Sequence, residues 1–134
     1  MPKPHIHALQ DVKNFGGVVD DYIEIHSLMD SGKGALADNR GRAWSHNAHF
    51  IYDVLPRIFG TTITNSDGKV VSVSQIGENH VLMDFRGKFI PTLQDWMEET
   101  PIRPWMNNAS LNDYPPSQRQ IRNDDNDMMN VLID

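Results

Sequence analysis

The stretch HSLMD, residues 26–30, sets a histidine and an aspartate four positions apart. On a helix that spacing makes them neighbours, and the carboxylate can orient the imidazole and favour its charged form. Arg42 and His46 repeat the same interval further along. The chain has six histidines and no cysteine, so a bound transition metal would have to be held by imidazole and carboxylate. The residues available for that are His7, His26, Asp30, His46, Glu78 and His80. Among them His26, Asp30, His46 and His80 are the candidate ligands of a divalent ion such as zinc or manganese. Glu78 is the candidate general base for its water. The plainer alternative is a partly buried histidine satisfied by a carboxylate at a helix end. The spacing does not decide between them, because there is no HExxH, and His49 falls nearly opposite the apolar stripe of its own segment.

Lys33, Arg40 and Arg42 form one local basic cluster, offset by Asp38. It reads either as a solvated, ion-paired face or as a place for a phosphate or a partner's carboxylate. Ser31-Gly-Lys-Gly34 lacks the frame of a P-loop and is more simply a helix stop. Arg40 to His46 resembles the Arg-x(4–6)-His motif of the HEPN ribonucleases, helical proteins in which the pair acts on the RNA phosphate and 2′-hydroxyl. A chain this rich in arginine and histidine makes such a pair easily by chance. No GxSxG elbow accompanies the serines.

A formal charge of −6 gives an average field that repels a phosphate backbone, which makes a protein partner more plausible than nucleic acid. No 18 apolar residues run together, and MPKPHIHALQ lacks the core of a signal peptide. With no cysteine in the chain, these features lead us to expect a cytoplasmic protein with no membrane segment.

The elements that must position these residues follow from periodicity. Residues 6–15 make a short helix closed by Gly16-Gly17. Val19, Tyr22, Ile25 and Met29 mark one face of a second helix that ends near Ser31-Gly32. Apolar and small residues from Leu36 to Leu55 predict a longer third helix, with Arg40 and Asn47 as polar intrusions that need partners. Pro56 should kink or end it, and Gly60 should stop it. Two β-branched runs around Ser66-Asp-Gly-Lys69 predict a hairpin over 61–76. Residues 77–85 read as a short helix or turn, and Thr92 with Asp95 as a capping box that starts a helix over 92–99. The expected fold class is α+β: a mostly helical single domain over 1–108, with three N-terminal helices, a hairpin and a short C-terminal helix. Tyr22, Ile25, Met29, Trp44, Phe50 and Ile51 form its core, and Trp105 packs back on it. Residues 109–134 are an acidic polar tail suited to a partner.

Taken together, several groups of residues carry a resemblance. They are His7-Ala8, Phe15-Gly16-Gly17, Asp21-Tyr22, Ile25-His26, Asp30, Lys33, Asp38, Arg40, Arg42 and His46. They continue with Phe59-Gly60, Ile63 to Lys69, Ile76-Gly77-Glu78, His80, Asp84, Ile90-Pro91-Thr92, Asp95-Trp96 and Pro104-Trp105-Met106. On these the chain resembles a small uncharacterised family, a domain of unknown function found in bacteria and their phages. No activity comes with that likeness. It selects His7, His26, Asp30, Lys33, Arg42, His46, Glu78 and His80 and passes over His5 and His49, which implies one shared polar pocket. Asn47 and Gly41 depart from it, standing where other members can carry histidine.

Two functions follow as expectations. The first is a small accessory protein, phage-encoded, that binds a host or viral macromolecule and uses the polar pocket for structure or for a small ligand. The second is a metal-dependent hydrolase or nuclease.

Overall fold

The computed structural model describes residues 3–107 and 114–118. The chain divides between Glu98 and Glu99 into two compact units.

The first unit is mostly helical, with one small sheet, an α+β arrangement. Helix α1 spans Pro4–Phe15, with proline in its first turn, where its missing N–H costs nothing. Gly16 closes it at φ +82°, its N–H donating to the Val12 carbonyl at 2.8 Å. Helix α2 spans Ile23–Met29 and buries Ile25, His26 and Met29. Strands β1, Thr62–Thr64, and β2, Val70–Ser72, pair antiparallel with Ile63 opposite Val71. The turn between them is tied to the end of α1, because the Asp67 carboxylate accepts from the Gly17 N–H at 2.8 Å. Asn65 donates to the Phe15 carbonyl and to the buried Tyr22 hydroxyl, each at 3.0 Å. Helix α3, Leu55–Phe59, is entered through one wide π turn, Phe50–Val54. The widening coincides with Pro56, which has no N–H for a regular ladder, so the helix adjusts its pitch and runs on to Gly60. Helix α4 spans Val73–Asp84, and α5 spans Leu93–Met97. The expected capping box at α5 is present, with Asp95 N–H on Thr92 Oγ1 at 3.0 Å and Thr92 N–H on the Asp95 carboxylate at 2.8 Å. The core joins Tyr22, Met29, Phe50, Ile51, Leu55 and Ile76, all 2 % exposed or less.

Three expectations need correction. The continuous helix over 36–55 does not form; a 3₁₀ turn at Asn39–Trp44 and an irregular step at 45–47 take the place of its first part, and helical structure begins only at residue 48. Side chains compete there for the backbone. Asp38 accepts from the Arg40 N–H at 2.9 Å, and Asn47 bonds the Ala43 carbonyl at 2.7 Å and the Phe50 N–H at 2.9 Å. Arg40 is therefore exposed and paired with Asp38, while Asn47 is buried and satisfied. The second β-branched run becomes strand only to Ser72. That residue's hydroxyl accepts from the Gln75 N–H at 3.2 Å and starts α4 four residues earlier than the expected 77. Trp44 is 43 % exposed, leaning its edge on Phe50, and is no core residue.

The second unit holds 3₁₀ turns at Pro104–Asn107, with Trp105, and at Pro116–Gln118. Apart from residues 114–118, the expected tail lies outside the described residues.

Candidate metal centre

Three of the helices carry a histidine and an aspartate four apart: His7 and Asp11 on α1, His26 with Asp30 at the end of α2, and His80 and Asp84 on α4. All six, with His46 from the irregular segment before the π turn, are buried. Helix α2 packs on α1 and α4, which brings the three pairs to one place.

The donor atoms of Asp30, His46, His80 and Asp84 all lie within 4.8 Å of one another. His46 Nε2 is 2.8 Å from Asp84 Oδ2 and 3.7 Å from Asp30 Oδ1; His80 Nε2 is 3.1 Å from Asp30 Oδ1 and 3.5 Å from Asp84 Oδ2. Ligands about 2.0–2.1 Å from a tetrahedral ion stand roughly 3.3 Å apart. The four separations scatter around that value.

Protons decide what this arrangement lacks. The Ser45 hydroxyl lies 2.5 Å from the Met29 carbonyl and 2.9 Å from His46 Nδ1. Its single proton goes to the carbonyl, which can only accept, so Ser45 Oγ accepts from His46 Nδ1–H. The other ring nitrogen, His46 Nε2, faces two carboxylates. His80 is neutral near pH 7, since burial pushes its pKa down to about 4 against the pull of Asp30. Both carboxyls stay ionised. Burial opposes that at each, but the contacts with His46 and His7 hold Asp84 well below the usual range, and the contact with His80 together with the charge of Lys33 lowers Asp30. Asp30 Oδ2 and Asp84 Oδ1 are buried without a hydrogen-bond partner, as is His7 Nε2, which lies 3.3 Å from Asp84 Oδ1 but misaligned for a bond. Two buried carboxylates, each with one unpartnered oxygen and beside two imidazoles, are a donor set suited to a cation.

A second donor group, His7, His26 and His80, adjoins the first and shares His80 with it. The three rings stack, His7 on His80 at 3.7 Å between centroids and His26 on His80 at 5.1 Å. The four residues expected as ligands, His26, Asp30, His46 and His80, are thus brought together, with His26 on the far side of the His80 ring. These buried groups could hold a metal ion.

Other candidates fall elsewhere. Glu78 lies two residues before His80, roughly 200° round α4 from it, and its carboxylate accepts from the Tyr52 hydroxyl at 2.8 Å. It is not among the converging donors. Arg40 is an exposed partner of Asp38. Arg42 is buried, with one guanidinium nitrogen on Asn39 at 3.1 Å and its Nε unpartnered. Lys33 is exposed and its charge acts on Asp30. His49 is exposed and 3.7 Å from Asp53. Residues that sequence reasoning missed are Asp11, Ser45 and Asp84; the His-x-x-x-Asp spacing repeated at 7/11, 26/30 and 80/84 was the available signal. His49 and Asp53 share that spacing on the surface, so it took burial to tell them apart.

Among the described residues no helix is long and apolar enough to cross a membrane. Neither a curated protein nor a solved structure matches the chain. A family model does match, over residues 2–106, and by that match the chain belongs to the family described as Domain of unknown function (DUF6915).

Proposed function

We propose that the protein is a metal-dependent hydrolase whose divalent ion, manganese, iron or zinc, is held by Asp30, His46, His80 and Asp84. The observation that carries this is the convergence of four buried donors, all within 4.8 Å of one another, with Asp30 Oδ2 and Asp84 Oδ1 lacking any hydrogen-bond partner. The donor set separates catalysis from a purely structural role. Structural zinc sites are closed and built mainly on cysteine, whereas imidazole and carboxylate sets recur where an ion also holds water. An ion there would supply Lewis acidity and would lower the pKa of a water bound to it towards neutrality. Asp30 Oδ2 and Asp84 Oδ1, which lack hydrogen-bond partners, are the acceptor oxygens that such a water would meet. Lys33 beside Asp30 suits a substrate with negative charge, and the acidic chain favours a small phosphoester over a nucleic-acid polymer.

The test is elemental analysis of tag-free protein, followed by assay of bis(p-nitrophenyl) phosphate and p-nitrophenyl phosphate with added manganese or zinc. The reading expects near-stoichiometric metal in the wild type, loss of it in Asp84→Asn, and hydrolysis that falls by 100-fold or more in that variant. Metal without turnover of either ester would leave a binding protein; a metal-free, well-folded wild type that takes up none of these ions would end the reading.

A further inference from the structure

We infer that Asp11 and His26 do not bind the ion themselves but fix the His80 imidazole for it, as two positioning residues in series. The inference rests on the metal reading above and adds a role for two residues outside its ligand set.

The series can be followed atom by atom. The Asp11 carboxylate contacts His26 Nε2 at short range. A carboxylate accepts, so His26 Nε2 carries a proton, and the tautomer this selects keeps a lone pair on Nδ1. That lone pair meets His80 Nδ1 at 2.8 Å, a separation that requires one proton between the two nitrogens. The proton belongs to His80, and its Nε2 is therefore left bare, facing Asp30 Oδ1. One ring proton from each of the two imidazoles leaves two protons for three gaps. The gap without one is at Asp30, and at 3.1 Å it is longer than the His26–His80 contact.

Burial makes the arrangement binding. Asp11, His26 and His80 are each 1 % exposed or less, so no bulk water can substitute for a missing partner. His7, stacked on His80, holds the ring plane. The competing arrangement is an ion in the group of His7, His26 and His80. Both ring nitrogens of His26 are already engaged, Nε2 by Asp11 and Nδ1 by His80, so an ion there would have to break one of these buried contacts. His80 can serve only one group at a time without losing its last proton.

Zinc titration against a competing chelator, combined with imidazole ¹⁵N NMR of the full chain, tests the assignment. The zinc-bound wild type should show His80 with Nδ1 protonated and Nε2 shifted by the metal, and His26 unshifted at Nδ1. His26→Ala and Asp11→Ala should weaken zinc binding 10–100-fold, and Asp11→Asn, which keeps an acceptor oxygen, should recover part of the loss. A zinc-induced shift at His26 Nδ1 makes His26 a ligand and overturns the inference, as does unchanged affinity in a folded His26→Ala. If His26→Ala does not fold, the wild-type spectrum decides by itself. Absence of zinc uptake by the wild type would instead remove the metal reading; uptake with unaltered variants would remove only the role of Asp11 and His26.

Discussion

The Nδ1 atoms of His26 and His80 lie 2.8 Å apart in the interior, joining helix α2 to helix α4 through two side chains that cannot both donate. One ring must be the donor, and the Asp11 carboxylate on α1 determines which. A contact between two helices is thereby set by a third, and the outcome is read out at the opposite nitrogen of His80. The local consequence is a lone pair directed at the point where Asp30, His46 and Asp84 also converge.

Stability of the metal-stripped protein should fall as pH drops below about 6.5. His80 has a folded pKa pushed down to about 4, so between these values the unfolded chain takes up a proton that the folded one refuses. The slope from this group is at most about 1.4 kcal/mol per pH unit. Asp30 and Asp84, lowered in the fold, contribute stability that is complete above the ordinary carboxyl range and is lost as pH falls through their folded values. Urea midpoints in the presence of chelator at pH 7, 5.5 and 4.5 check this. A midpoint that is flat or rises would show that His80 is protonated in the fold.

Gly32→Ala should destabilise the fold and weaken metal uptake together. A Cβ at residue 32 would come within 2.0 Å of the Gly41 carbonyl oxygen, and the backbone must move because that atom has no freedom of its own. The two turns that touch there immediately follow Asp30 and precede His46, so separating them displaces one donor from the other. A loss of roughly 2 kcal/mol or more is expected, as for other overpacked interior positions. Thermal unfolding by circular dichroism, with and without zinc, measures it; wild-type behaviour in both would refute the close approach. Gly34, whose Cβ would meet nothing within 4 Å, is the matched control.

Ser45→Ala should strand the Met29 carbonyl and the His46 Nδ1–H, both buried, at a cost of about 1–3 kcal/mol. It also frees His46 to move its proton to Nε2, so zinc affinity should drop as well. Ser45→Thr retains the hydroxyl and should restore the tautomer, as read by ¹⁵N shifts. An alanine variant with unchanged affinity would show that Ser45 does not govern His46.

Local signals did much of the architectural work. Gly16 at the end of α1, the capping pair Thr92 and Asp95, and the turn at Asp67-Gly68 each act within a few residues, and each is where composition and spacing put it. Periodicity failed between residues 36 and 47 because Asp38 and Asn47 offer the backbone side-chain partners that a hydrophobic pattern does not register. It failed again at Ser72, where one hydroxyl converts a β-branched run into a helix start.

The candidate site divides the same way. From the sequence alone came the ligand types: without cysteine, any metal must be held by imidazole and carboxylate, and His26, Asp30, His46 and His80 are marked by spacing. Only the tertiary structure separated the buried pairs from His49 and Asp53, drew in Asp11 and Asp84, and removed Glu78 to the Tyr52 side of α4. The reason is physical: a four-residue interval specifies which side chains share a helix face, whereas which face is enclosed, and which nitrogen of a ring meets which oxygen, depends on how three helices distant in sequence pack against one another.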